Sequence, residues 1–255
     1  MGYTYNDIVD ALKNLNINEG DSIFVHSNLG FFGKMENCSN ADELCENFLN
    51  AIVEVIGEEG TLVLPAFSYS FCNNEIFDVN NTCTKCGIFS EYLRKKEGSV
   101  RSQDPNFSIV AYGKEKIYYT ENPTNESFGK GSFWERFLNR KGKIVCMNFD
   151  SGSTFVHYVE RQNNVPYRYN KAFNGIIKDR DKERKDYFVH YVYDKDVLED
   201  APSFNYLDAL CKKNGICKSV CIGRGIINAM ESKVYYDFIC EMLKKEPRFL
   251  TRGRV

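Results

Sequence analysis

No run of about 18 uninterrupted apolar residues occurs in the chain, so no segment reads as a membrane-spanning helix. The opening Met-Gly-Tyr-Thr-Tyr-Asn-Asp has no basic stretch ahead of an apolar core, which predicts no secretory signal and a cytoplasmic location. A basic excess is missing too. With 33 Lys and Arg against 35 Asp and Glu, the net charge is −2. That argues against a polyanion binder, and equally against the acidic surface expected of a site built for a polycation. There is no internal repeat and no linker rich in proline or serine, which points to one domain over residues 1–255. Histidine is scarce, at three residues.

Cysteine is plentiful. Ten cysteines without a secretory signal predict free thiols in a reducing compartment rather than a disulfide framework. Cys83-x-x-Cys86 has the spacing of half a zinc site, yet a second pair is wanting, since Cys217-x-x-x-Cys221 is wrongly spaced and lies in an apolar, strand-like stretch. Structural cysteines and no metal are expected. A cysteine-rich metal-binding module and a thiol-dependent amide hydrolase stand as alternatives from other classes.

Hydrophobic periodicity alternates between helix and strand. Thr4-x-x-Asp7 has the form of a capping box, opening a helix with Ile8, Leu12 and Leu15 along one side. A strand follows at 22–25. Ser39-x-x-Asp42 reads as a second cap, before a helix with Leu44, Cys45, Phe48, Ile52 and Val55 at helical spacing and Gly57 as its stop. Residues 61–64 read as a buried strand halted by Pro65. The pattern then predicts irregular chain over 66–86, a helix at 87–96, a loop at 101–108 and a strand at 107–111. It continues with helices at 133–139 (carrying Trp134), 205–213 and 232–245, and strands at 143–149, 187–193 and 219–222. Residues 164–186 read as a mobile excursion whose charged run, 178–185, is a solvated hairpin or loop tip. The alternation is that of an α/β layer architecture.

The densest chemistry lies at Gly152-Ser-Thr-Phe-Val-His-Tyr-Val-Glu160. It follows the strand at 143–149 and reads as a helix capped by Ser151 or Ser153. Thr154, His157 and Glu160, spaced by three, put a hydroxyl, an imidazole and a carboxylate on one face. An isolated His-x-x-Glu is commonly a solvated surface pair; at a strand-to-helix switch it has the parts of a proton-abstraction site. His190 sits in a strand-like stretch and reads as structural. His26 ends a strand, as a residue backing the site or as a loop anchor.

Five blocks in order resemble the aminoglycoside 3-N-acetyltransferase family, including its relatives that acylate nucleotide-linked amino sugars. They are Val25-His-Ser-Asn-Leu29 with Gly33; Gly60-Thr-Leu-Val-Leu-Pro-Ala-Phe67; Thr82-x4-Gly87 with Glu91; Arg101-Ser102 with Pro105 and Ser108; and Thr154-x-x-His157-x-x-Glu160. The resemblance spans about residues 5 to 175 and fades beyond. It implies a layered α/β/α sandwich around a central mixed sheet, and transfer of an acyl group from a CoA thioester to an amine. It implies CoA contacts from His26, Ser27, Asn28, Leu29 and Gly33, and from Arg101, Ser102 and Ser108. Glycines beyond a strand end allow close phosphate approach, and a guanidinium suits phosphate. The sequence departs from the family where Asn28 replaces a serine and Asp104 a histidine, so Asp104 either orients Arg101 or meets the acceptor.

In the mechanism so implied, Glu160 holds His157 in one tautomer and raises its basicity, and His157 strips the proton from the attacking amine. Thr154 supports either the oxyanion or the departing sulfur. Tyr69 and Phe71 either stack on the acceptor or pack beneath a loop. The charge balance and the departures at Ser68-Tyr-Ser-Phe71 and Asp104-Pro105 favour a nucleotide-linked amino sugar as acceptor, with an aminoglycoside, and hence antibiotic resistance, as the alternative. The acyl group is acetyl or a larger one such as 3-hydroxybutyryl. The resemblance also implies a possible homodimer.

Overall fold

The computed structural model describes residues 2–121, 124–196 and 204–251. In chain order the elements are α1 (Tyr5–Asn14), β1 (Ser22–Ser27), α2 (Ala41–Ile56), β2 (Thr61–Pro65), β3 (Phe77–Asp78), α3 (Ile88–Lys95), β4 (Val100–Arg101) and β5 (Ile109–Gly113). Then come α4 (Lys116–Thr120), α5 (Phe133–Asn139), β6 (Lys143–Met147), α6 (Phe155–Gln162), β7 (Arg168–Asp179), β8 (Lys182–Tyr193), α7 (Asn205–Lys213), β9 (Lys218–Ile222), β10 (Gly225–Glu231) and α8 (Ser232–Lys245).

Seven strands form a mixed sheet in the order β4-β5-β2-β1-β6-β10-β9. The central β1 runs parallel to β2 and β6, with Ser27 opposite Met147. Successive side chains of a strand point to opposite faces, and the core divides accordingly. Ile23, Val25, Leu62, Leu64, Val145 and Met147 pack on one face with α1, α2 and α3. Phe24, Val63, Ile144 and Cys146 pack on the other, with residues of α5, α6, α7 and α8. The expected α/β/α layering around a mixed sheet is present. Apolar runs buried on both faces are what made β1, β2 and β6 recognisable.

The Thr4–Asp7 capping box forms as expected, and Gly57 closes α2 at φ 67°. The cap of α2 is displaced by one residue from expectation: Asn40 accepts the Glu43 N–H, and Glu43 in return takes the Ser39 N–H. The short β3, β4 and α4 and the longer β7 and β10 escaped the sequence reading. β10 carries a buried Asn228 within its apolar run, and that side chain bonds Ser219 and the Phe149 carbonyl. β7 pairs with β8 over twelve residues and with the short β3. Together they form a second, three-stranded sheet. The charged run does supply the hairpin tip, but residues 168–179 are strand rather than loop. Gly175 passes over Phe71 so closely that a Cβ there would lie 2.5 Å from the ring.

Candidate active site

The carboxyl ends of β1 and β6 and the start of α6 meet at one place, the region where open α/β sheets bind ligands. Ser151 ends the approach to α6. Its N–H and hydroxyl both bond Asp208 on α7, and its carbonyl accepts the Tyr235 hydroxyl. Ser153, the other expected cap, accepts the Phe155 N–H at 3.3 Å. His26 Nε2 lies 3.1 Å from the Ser153 hydroxyl and accepts the Thr154 N–H at 3.3 Å. Accepting that N–H requires a neutral ring, and burial holds the His26 pKa down to about 4. His26 therefore joins β1 to α6. The Thr154 hydroxyl makes no capping bond.

Three residues on, His157 Nδ1 lies 2.8 Å from Glu160 Oε2. Glu160 is completely buried yet ionised: burial pushes its pKa up, and His157, Arg168 and Tyr167 together more than reverse that. Tyr167 donates to Oε1 at 2.9 Å. Arg168 Nε sits 2.8 Å from Oε2 without hydrogen-bond alignment, so the contact is ionic. With an anion at Nδ1, that nitrogen carries the ring proton and Nε2 keeps its lone pair.

The net effect on His157 reverses the expectation. Its pKa is lowered, first by burial between Phe128 and Phe204 and then by the Arg168 charge, against the raising effect of Glu160. The ring is held as a free base, not made more basic. It opens on a cleft of about 480 Å³ whose opposite wall is the β7–β8 hairpin, with Tyr169, Lys171, Phe173 and His190 along it. Tyr167, Arg168 and Lys171 were missed from the sequence. The alternation Tyr169, Lys171, Phe173 was the signal that a strand, and not a loop, stood there.

The residues of the loop after β1 differ in what they present to solvent. Asn28 is fixed by its N–H to the Met147 carbonyl and by the Asn148 amide on its own carbonyl. Leu29 is buried in the core, so its side chain cannot meet a ligand. Gly30 is open, and Phe31 beside it is 65% exposed. Gly33, at φ 92°, lies beneath Arg224, where a Cβ would sit 3.0 Å from Nε.

Several expected contacts do not survive. The Arg101 guanidinium is buried over the Phe77 ring and donates to the carbonyls of Ala66 (2.7 Å) and Thr82 (2.5 Å) and to Ser108. Ser108 passes its own proton to Ala66, and Ser102 accepts the Ile109 N–H. These three residues fasten loops to the sheet edge, with the guanidinium turned toward backbone carbonyls. Asp104 is buried and accepts the N–H groups of Asn106 and Phe107, closing its own turn. Phe71 is core, packed with Phe77, Ile177 and Phe188. Tyr69 packs edge-on against Phe67 and Phe107. His190 is pinned between Asn106 and Cys72, a structural role. All ten cysteines are free, and among the described residues no three His, Cys, Asp or Glu side chains gather to hold a metal. Burial raises the Cys72, Cys86 and Cys211 thiols, the opposite of an activated nucleophile. No helix among the described residues is long and apolar enough to cross a membrane.

Comparison with known proteins gives one family. The model of the aminoglycoside 3-N-acetyltransferase family matches residues 24–244, well beyond the point where the resemblance fades to the eye. A relative in Bacillus subtilis (strain 168), an SPbeta prophage-derived aminoglycoside N(3')-acetyltransferase-like protein, is 27% identical over 190 residues, 65% of this chain and 66% of the relative. Aminoglycoside N(3)-acetyltransferase III of Salmonella sp is 25% identical over 71% of this chain and 68% of its own length. The matched region is thus about two thirds of each relative. The fold is that of the crystal structure of aminoglycoside acetyltransferase AAC(3)-Xa, with a TM-score of 0.82 at 19% identity over 98% of this chain and 94% of that one. It is also that of AAC-IIIb, solved as a binary complex with CoASH, with a TM-score of 0.79 at 18% identity over the whole of both chains.

Proposed function

The chain belongs to the aminoglycoside 3-N-acetyltransferase family, and on that premise we propose that it transfers an acyl group from a CoA thioester to an amine of an aminoglycoside-type amino sugar, with His157 as general base. The observation that carries the mechanism is the buried Glu160 against His157 Nδ1, which supports Nε2 as the lone-pair base of a ring that lines the cleft. Bound CoA supplies an acyl carbon already activated as a thioester. The protein has to remove the amine's proton, and a ring unprotonated at neutral pH is suited to it. Thr154, at the first turn of α6 with no capping bond, is available to the oxyanion or the departing sulfur. The open Gly30, the exposed Phe31 and the cation of Arg224 above Gly33 support the β1 loop as the CoA contact.

The names of the relatives favour an aminoglycoside acceptor over the nucleotide-linked amino sugar that charge balance alone suggests. One observation keeps the second reading: Lys171 stands on the cleft wall opposite His157, where a polycation would meet it unfavourably and an anionic acceptor favourably. Acetyl-CoA offered with kanamycin or gentamicin, and separately with dTDP- or UDP-amino sugars, decides between them by release of free CoA. Turnover of the antibiotics is expected, with a loss of at least about a hundredfold in His157→Asn. Release with nucleotide sugars alone would move the assignment to the second reading, and undiminished turnover in His157→Asn would remove the base.

A further inference from the structure

A guanidinium and an imidazole converge on one buried carboxylate oxygen. Glu160 Oε2 is 2.8 Å from His157 Nδ1 and 2.8 Å from Arg168 Nε. Arg168 is nearly as buried as Glu160, at 6% side-chain exposure, and its Nη1 donates to the Tyr191 carbonyl at 3.2 Å, which fixes it to the hairpin. The second carboxylate oxygen is taken by Tyr167. A single negative charge here serves one permanent positive charge. Adding a proton to His157 would place two positive charges on one anion in a poorly solvated site, where such terms are strong.

We propose that Arg168 is a positioning residue of this site: by sharing Glu160 Oε2 it neutralises the carboxylate, fixes the His157 ring proton on Nδ1, and keeps Nε2 free for the incoming amine. The inference rests on the reading of His157 as the base. It explains why a Glu160 contact, which by itself would favour imidazolium, here accompanies a neutral ring. It also gives the long hairpin a chemical purpose, since β7 begins with the side chain that tunes α6. Other ionisable groups of the cleft are Lys171 and His190 on the hairpin, Tyr169, Tyr191 and Tyr193 beside them, and Asp194, Lys195 and Asp196 at its end. Arg168 and Glu160 are the charges that act on the ring.

The test follows the ring directly. With three histidines in the chain, NMR titration of histidine-labelled protein, assigned through His157→Asn, gives the His157 midpoint without any assay of turnover. Arg168→Gln is expected to raise that midpoint by about one pH unit or more. Arg168→Lys is expected to restore most of it, and Tyr167→Phe, which removes a bond but no charge, to leave it nearly in place. Arg168→Met keeps the apolar stem and replaces Arg168→Gln if that variant does not fold. A purely mechanical role in holding the hairpin predicts lower thermal stability with an unmoved midpoint, and that result in a folded variant overturns the proposal. The acid limb of kcat/KM is expected to move with the midpoint. A moved midpoint with an unmoved limb leaves Arg168 in its role and overturns His157 as the base.

Discussion

His26 Nε2 accepts the backbone N–H of Thr154 at 3.3 Å across 128 residues of sequence, so the end of the central strand and the first turn of α6 are held by one neutral ring. The His26 pKa falls from 6.5 to about 4 on folding. A histidine depressed in this way favours the folded state fully above pH 6.5, and its contribution is lost as pH falls from 6.5 toward 4. The difference in unfolding free energy between wild type and His26→Ala, measured by urea titration, should therefore shrink between pH 7 and 5. A difference that stays constant over that range would mean the ring is not held neutral.

Arg101 should behave as a fastener. Arg101→Met leaves the Thr82 carbonyl without its donor and the Ala66 carbonyl with Ser108 alone, at a cost of about 2 kcal/mol, or roughly 6 °C in melting temperature. The KM for acetyl-CoA should stay close to that of wild type. A raised KM in a variant with unchanged melting temperature would return Arg101 to the cofactor.

Lys171 lines the cleft that the proposed function gives to the acceptor. Lys171→Glu should raise kcat/KM for gentamicin by about fivefold, the worth of roughly 1 kcal/mol for a partly exposed charge. It should lower any activity with UDP-amino sugars. Equal responses of both acceptors would place the acceptor elsewhere than along the hairpin wall.

The working pH of the enzyme should reach below that of an ordinary imidazole. Burial and Arg168 lower the His157 pKa from 6.5, and a base works only when unprotonated, so the acid limb of kcat/KM is expected below pH 6.5. A limb above that value, absent from His157→Asn, would contradict the lowered pKa.

Gly175 tests the docking of the hairpin. Gly175→Ala forces a methyl onto Phe71, an overpacking that costs about 1–3 kcal/mol. Because the same hairpin carries Arg168, turnover should fall along with the melting temperature. The double variant Gly175→Ala, Phe71→Leu should recover part of both.

By itself the amino-acid sequence determined the layered core and the pairing of His157 with Glu160. Strands buried on both faces need apolar runs, helices need periodicity and caps, and His157 and Glu160 are neighbours because a helix makes positions three apart adjacent. These are local consequences of chain geometry. Side chains near in space but far in sequence were beyond such reasoning. The hairpin strand β7 is largely solvent-exposed, so its polar composition concealed it, and with it Tyr167, Arg168 and Lys171. Arg101, Ser102, Ser108, Asp104 and Phe71 lie in blocks that resemble ligand contacts, and only tertiary packing turned their donors, acceptors and ring inward. Whether a polar group meets a ligand or a backbone carbonyl depends on which surfaces the fold brings against it. Whether His157 is charged depends on a guanidinium from another sheet. Electrostatics and burial are properties of neighbourhoods in space, and folding creates those neighbourhoods.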